Sequence, residues 1–213
     1  AMTGVAIGAG LRRFRSIMVH QRMDFFLLAM DQLVNSAAKW CYMFGGQNSV
    51  PITIRLILGR GWGQGPTHSQ SLQAWFSHIP GLKVVMPSTP KDAKGLLLSS
   101  IFDENPVIFM EHRWLHNQKG DVPEGDYRIP LGEARIIKPG SDVTIVAMSY
   151  MNIEALRAIN YLDQKNVVSC ELLDLRTVSP MDWKKIYTSV RKTGRLLVLD
   201  TGATTGSIAG EIV

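Results

Sequence analysis

Stretches with apolar positions three or four apart alternate along the chain with short, continuously apolar runs, laying out helices and strands in turn. Residues 3–12 are rich in Gly and Ala and predict a close-packing helix with Gly4 and Gly8 on one side. Residues 16–19 are a short strand candidate. Residues 24–44 read as one long helix, in which Leu27, Leu28, Met30, Leu33, Val34, Ala37 and Ala38 keep the spacing of a single buried face, and Gly45-Gly46 ends it. Residues 50–58, VPITIRLIL, are apolar and β-branched almost throughout, as in a strand covered on both faces. A loop with glycine at 59, 61, 63 and 65 follows, then a helix predicted over 67–79 and a strand over 82–86. Thr89-Pro90-Lys91-Asp92 has an N-cap hydroxyl, proline at the first helical position and an acid three residues after the cap; the helix it starts reaches about 103. PVIFME at 106–111 is the next strand.

The texture changes at His116–Gly132, which is polar and punctuated by Gly120, Pro123, Gly125 and Pro130, and reads as a linker. A second series follows: strand 142–149, helix 152–162, strand 167–173, helix 181–190 and strand 195–199, then residues 206–213 as the start of a helix. Alternating strands and helices imply α/β architecture with two doubly wound parallel sheets. The expected division is one domain at 1–117, a linker at 118–133 and a second domain at 134–213. Ligands in such sheets sit beyond the C-terminal ends of the strands, which directs attention to the loops at 59–68, 87–91 and 174–181.

Composition narrows the partners. Hydrophobic residues make up 46% of the chain, enough for a substantial core, and no apolar run is long enough to span a membrane. The net charge of +5 is scattered, which argues against nucleic acid. The one dense cluster, Arg12-Arg13-Phe14-Arg15, fits a solvated turn or a subunit contact better than a phosphate site. Cys41 and Cys170, far apart in apolar settings, are expected to be reduced, buried thiols.

The glycine loop implies unusual backbone dihedrals or close approach to a ligand, with a plain surface loop as the alternative. It matches neither a Walker loop nor GxGxxG. His68, placed where that loop enters the predicted helix, would be a neutral acid, base or donor, or else an ordinary first-turn residue. His78 is expected to stabilise the end of that helix. His20, His112 and His116 follow strand ends without a specific pattern. Phe25 and Phe26, at a strand-to-helix junction, are either core or a stacking surface for a flat heterocycle. Asp103-Glu104-Asn105-Pro106 is a polar turn, or oxygens around a hard monovalent cation.

Several separated segments taken together carry more information: Met23-Asp24-Phe25, the run Asp31-Gln32-Leu33-Val34-Asn35-Ser36-Ala37-Ala38-Lys39, Thr67-His68-Ser69-Gln70-Ser71, Pro80-Gly81-Leu82-Lys83-Val84-Val85-Met86-Pro87, and Asp174-Leu175-Arg176-Thr177-Val178-Ser179-Pro180-Met181-Asp182. In order and spacing the chain resembles, nearly end to end, the beta subunits of thiamine diphosphate-dependent pyruvate and branched-chain 2-oxo acid dehydrogenases.

The resemblance implies a pyrimidine-binding domain followed by a partial transketolase C-terminal-like domain. It implies thiamine diphosphate shared with an alpha subunit, which holds the diphosphate and magnesium, and the absence here of a Gly-Asp-Gly motif agrees. It assigns Phe25 to the face of the aminopyrimidine and His68 to the active-site histidine that assists acyl transfer to lipoyl. A structural potassium ion would fall on the carbonyls of Ile52 and Ser100 with Asp103 and Asn105. Partners would be the alpha subunit, a second beta subunit, the lipoyl acyltransferase core and a 2-oxo acid, with no nucleic acid or membrane, in bacterial cytoplasm or mitochondrial matrix. The family's pyrimidine-activating glutamate lies just before the segment matching Ala1-Met2-Thr3-Gly4, so the sequence reads as truncated at both ends and inactive by itself. His20-Gln21-Arg22 and Arg113-Trp114-Leu115-His116 depart from the family pattern and put pyruvate specificity in doubt. A transketolase or deoxyxylulose phosphate synthase fragment, and a non-catalytic assembly domain, are the alternatives.

Overall fold

The computed structural model describes residues 1–213. Helix α1 (Met2–Leu11) packs under strand β1 (Ser16–His20), and its Gly4 and Gly8 have open space around them. The long helix is present but irregular. It runs as α2 (Met23–Phe26), a 3₁₀ turn (Leu27–Ala29), a π-helical turn (Gln32–Ala37) and α3 (Ala38–Met43), with helical backbone at the joints between these segments. The change of winding rotates the buried stripe, so Met23, Phe26, Leu33, Ala37 and Ala38 face the core while Leu28 is 95% exposed, outside the face expected for it.

Strand β2 (Ile52–Leu58) is an interior strand of the first sheet, with Ile52, Ile54, Leu56 and Leu58 fully buried. Helix α4 (Gln73–Ser77), strand β3 (Lys83–Val85), helix α5 (Pro90–Ile101) and strand β4 (Val107–His112) follow. The Thr89 hydroxyl accepts from the Asp92 backbone N–H at 3.1 Å, the cap that the sequence predicts for α5. The polar stretch leads to β5 (Arg135–Lys138), β6 (Val143–Ala147), α6 (Met151–Gln164), β7 (Cys170–Asp174), β8 (Thr177–Ser179), α7 (Trp183–Thr193), β9 (Leu196–Leu199) and α8 (Ile208–Ile212).

Both sheets are mainly parallel, and each carries an antiparallel edge strand that the hydrophobic pattern does not announce. The first has the order β1-β2-β4-β3-β8, the second β5-β7-β6-β9. Strand β8 follows the second domain's β7 in sequence yet pairs with β3 through Val84↔Ser179 and Val85↔Thr177. The largest apolar cluster likewise crosses from Ile54, Val84 and Ile108 to Val146, Leu173 and Ile208. The two sheets therefore share a core. Cys170 is buried as expected, whereas Cys41 is only half-buried, and both thiols are free. No helix is long and apolar enough to cross a membrane.

Candidate active site

Strands β1, β2 and β4 run parallel and end on the same side; Phe25 and His68 lie on the segments that leave β1 and β2, and His112 is the last residue of β4. Phe25 is not core: it is 46% exposed, in contrast to its fully buried neighbour Phe26. Its ring meets the His68 imidazole edge-to-face, with centroids 5.2 Å apart and planes at 90°. Residues 43 positions apart in sequence are thus brought side by side at the surface.

The loop that brings His68 there is built on its glycines. Gly61, Gly63 and Gly65 have φ of +80°, +77° and +82°, a region that side-chain-bearing residues rarely adopt. The residues between them each anchor the loop elsewhere. The Arg60 guanidinium donates to the carbonyls of Thr201 and Gly202 at 2.6 and 2.7 Å, tying the loop to the second sheet's side of the molecule. The Trp62 ring packs on Trp114 and beneath the Arg113 guanidinium. Gln64 accepts from Arg22, and its N–H donates to the Ser69 hydroxyl at 3.2 Å.

A helix start at His68 is not found. Residues 67–72 form turns and irregular backbone, and α4 begins only at Gln73, so the helix-terminus argument for His68 does not apply. Two tertiary contacts hold the segment out of the helix. The His68 carbonyl lies against Gly59, where an added Cβ would come within 2.8 Å of it. The Gln70 side-chain amide donates to Asp24 Oδ1 at 2.7 Å. That second bond joins the residue before Phe25 to the residue two after His68, clamping the pair. The His68 Nδ1 is within 3.0 Å of the Thr67 hydroxyl, leaving Nε2 as the nitrogen not engaged with it.

Asp24 Oδ2 beside Phe25, and Ser71 Oγ and Gln73 Oε1 just after His68, are buried without a hydrogen-bond partner within the chain. Buried polar groups are almost always satisfied, so these three are open to a polar group from outside the chain. His112 is 1% exposed and stacks on Tyr150 at 4.9 Å. Its Nδ1 accepts from the Trp114 N–H at 3.3 Å. Burial pushes its pKa from 6.5 down to about 4, with nearby His116 adding to the shift and the Arg60 backbone opposing it. His20 and His116 are also lowered by burial. A cavity of about 410 Å³ beside His112 is lined by Arg55, Ser88, Thr89, Glu111 and His116. It includes neither Phe25 nor His68, and its Arg55–Glu111 charges already satisfy each other, with Nη2 and Oε2 at 2.7 Å.

Ile52, Ser100, Asp103 and Asn105 lie at the start of β2 and around the α5–β4 turn. Asp103 is already engaged: Oδ1 accepts from the Asn105 N–H at 2.9 Å, and Oδ2 pairs with the Lys83 ammonium. The Ser100 carbonyl accepts from the Asp103 N–H at 3.3 Å, and Arg15 donates to the Asp103 carbonyl at 2.9 Å. As arranged, the turn is neutralised by side-chain cations. His78 stands at the C-cap position of α4, where its backbone N–H donates to the Ala74 carbonyl at 3.0 Å.

Residues 1–118 match the pyrimidine-binding domain of transketolase, and residues 132–213 match the transketolase C-terminal domain. The chain belongs to the transketolase pyrimidine-binding family. Among its relatives, the acetoin:2,6-dichlorophenolindophenol oxidoreductase beta subunit of Cupriavidus necator is 47% identical over 212 residues, covering 100% of this chain and 62% of that protein. The mitochondrial 2-oxoisovalerate dehydrogenase beta subunit of Dictyostelium discoideum is 45% identical, covering 99% and 58%. The pyruvate dehydrogenase E1 beta subunit of Rhizobium meliloti is 43% identical, covering 98% and 45%. The chain therefore spans about three-fifths or less of these relatives. A solved split-gene transketolase, described as an inactive beta4 tetramer, superposes with a TM-score of 0.78 at 22% identity over 99% of this chain and 65% of that one; this likeness concerns the fold alone.

Gln70, Asp24, Arg60 and Gln73 are site residues that the sequence pattern does not single out. Gln70 and Asp24 lie inside the two motifs that carry the family resemblance, but their pairing is visible only in three dimensions.

Proposed function

We propose that this chain is the pyrimidine-binding part of the beta subunit of a thiamine diphosphate-dependent dehydrogenase component acting on a 2-oxo acid. The observation that carries the proposal is the Phe25–His68 pair, open to solvent and clamped through Asp24 and Gln70 at the C-terminal ends of parallel strands. An exposed aromatic face beside unpaired buried polar atoms fits a flat heterocycle with nitrogen at its edge. Phe25 would hold the aminopyrimidine face. When bound, the cofactor supplies an electron sink for decarboxylation. His68 holds or delivers a proton at Nε2 toward the substrate and its acyl acceptor, while Thr67 fixes the ring through Nδ1.

The reading includes an alpha subunit carrying the diphosphate and magnesium, a second beta subunit, and a lipoyl acyltransferase. Its compartment is bacterial cytoplasm or mitochondrial matrix. Residues 1–117 supply the pyrimidine site, and without the alpha subunit the chain turns over no 2-oxo acid. A potassium ion on Ile52, Ser100, Asp103 and Asn105 belongs to the same reading and would compete with Lys83 for Asp103. A rise in melting temperature with potassium but not sodium would support it; equal curves would remove it.

The test is a thiamine diphosphate titration of the full-length chain assembled with its partner, assayed with a panel of 2-oxo acids. Turnover that requires the cofactor, together with a loss of cofactor affinity of about 10-fold or more in Phe25→Ala, is expected from lost aromatic contact. Unchanged affinity in that variant would remove Phe25 from the site. A second reading, oxidation of acetoin, is favoured by the Cupriavidus relative and is decided in the same assay by substituting acetoin for the 2-oxo acid.

A further inference from the structure

The glycine loop and the residues it touches carry arginines that lack acidic partners. Arg22, Arg60 and Arg113 form no ion pair, whereas Arg15, Arg55, Arg128, Arg135, Arg157 and Arg176 all do. Two of the three are committed to the protein. Arg60 spends its donors on the Thr201 and Gly202 carbonyls. Arg113 lies over the Trp62 ring and contacts His116 Nδ1 at 3.0 Å.

Arg22 differs. Its Nε and Nη2 both donate to a single neutral oxygen, Gln64 Oε1, and Nη1 donates to the Gln21 carbonyl at 2.7 Å. The edge bearing Nε and Nη2 offers two parallel N–H groups, the geometry that meets the two oxygens of a carboxylate. One amide oxygen shared between them is a weak substitute. Gln64 is exposed, and its side chain hydrogen-bonds to no residue other than Arg22, so a rotamer change suffices to move it aside.

The position is close to the Phe25–His68 pair on both sides. The Phe25 N–H donates to the Arg22 carbonyl at 3.2 Å, so the two residues share one turn. Gln64 in turn holds Ser69, the neighbour of His68. Asp24 does not neutralise Arg22: its Oδ1 is taken by Gln70, and its Oδ2 is buried without a partner.

We infer that Arg22 is the specificity-determining residue beside the Phe25–His68 pair, binding a carboxylate of an anionic substrate through its Nε/Nη2 edge after Gln64 is displaced. The inference rests on the catalytic reading above and extends it, because it selects anionic 2-oxo acids over a neutral substrate such as acetoin.

The experiment uses the full-length chain assembled with its partner and compares Arg22→Gln and Arg22→Lys with the unmodified protein. Binding is read by calorimetry with malonate, a non-reacting dicarboxylate, and steady-state kinetics with a 2-oxo monocarboxylate, a 2-oxo dicarboxylate and acetoin. Loss of a charge-assisted pair predicts a Kd for malonate and a KM for the anionic substrates raised about 10- to 100-fold in Arg22→Gln, with kcat changed much less. Arg22→Lys should fall between, since it keeps the charge but loses the fork. An effect on the monocarboxylate assigns the carboxylate next to the reacting carbonyl; an effect confined to the dicarboxylate assigns a distal one. Failure of malonate to bind the unmodified protein, or anion constants in Arg22→Gln within twofold of the unmodified values, would overturn the inference. Failure of the catalytic reading has a different mark, thiamine diphosphate affinity indifferent to Phe25, and leaves the malonate result to be judged separately.

Discussion

At the scale of single residues, the site is a matter of what is left unspent. Phe26 is buried, and Phe25, one position earlier, faces solvent and the His68 ring. The Asp24–Gln70 bond has no chemistry of its own to perform, but it fixes the separation of the two groups that do. Removing it should therefore act through geometry. Gln70→Ala is expected to lower kcat about 10-fold while costing only about 1 kcal/mol of stability, the usual worth of one partly exposed hydrogen bond. His68→Ala should slow acylation of lipoyl far more than it weakens binding of thiamine diphosphate. The check is rapid-mix acylation beside equilibrium cofactor titration; equal losses in both would place His68 in cofactor binding instead.

At the scale of elements, the glycine loop is an adaptor whose alternation has a mechanical sense. Positive-φ glycines at 61, 63 and 65 splay Arg60, Trp62 and Gln64 toward three different anchors. Gly59 does a different job, letting the His68 carbonyl approach. In Gly59→Ala the new Cβ would stand 2.8 Å from that backbone oxygen, and something rigid must shift. A loss of about 1–3 kcal/mol, seen as a melting temperature lower by several degrees, is expected, together with slower acylation. A variant as stable and active as the parent would show that the close approach is dispensable. Much of this level was legible in the sequence. The continuous apolar runs of β2, β4 and β6 announce strands buried on both faces, and the Thr89 cap announces α5. The helix expected over 67–79 shrank to α4 because Leu72, Trp75, Phe76 and Ile79 keep a helical period while Gly59 and Asp24 hold the preceding turn by tertiary contact. Strand β8 escaped notice because three residues, Thr177-Val178-Ser179, carry no period; its state is set by β3, some 90 positions away in sequence. The same holds for the site: His68 and Phe25 stand out by residue type and family pattern, but Arg22's lack of a carboxylate partner is a non-local fact.

At the scale of the whole molecule, the two sheets are joined by polar groups as well as by the shared core. Asp92, fully buried, takes Arg176 at 2.7 Å and Arg135 at 3.2 Å. Asp174, also fully buried, accepts from the Ser88 hydroxyl and from the Arg176 N–H at 3.1 Å. Burial pushes the Asp174 carboxyl from 3.8 up to about 6; the Asp92 charge adds to this, while Ser88, the Arg176 N–H and Arg135 oppose it. Between those values the native chain keeps a proton that the unfolded chain releases. Asp174 thus stabilises the fold at low pH, and that contribution is lost as pH rises through about 6. His112 has the opposite sign. Its pKa is lowered from 6.5 to about 4, so over that range the unfolded chain gains a proton that the native chain refuses, and stability falls as pH falls. Each shift corresponds to about 3 kcal/mol, and the two largely offset each other across the acidic range. Separating them is the test. His112→Phe keeps the stack on Tyr150 and gives up the Trp114 N–H bond to Nδ1, a loss that does not change with pH above 4, so the stability that position 112 contributes should stay level in the variant between pH 6.5 and 4, where the parent's His112 contribution falls away. Asp174→Asn can keep both hydrogen bonds and should lose stability more steeply in acid than the parent. Urea unfolding midpoints of the full-length protein at half-unit steps of pH would show the two curves diverging on either side of the parent. Parallel curves for His112→Phe and the parent would mean that the imidazole titrates alike in the native and unfolded states, and that its seal beneath Tyr150 opens readily to water.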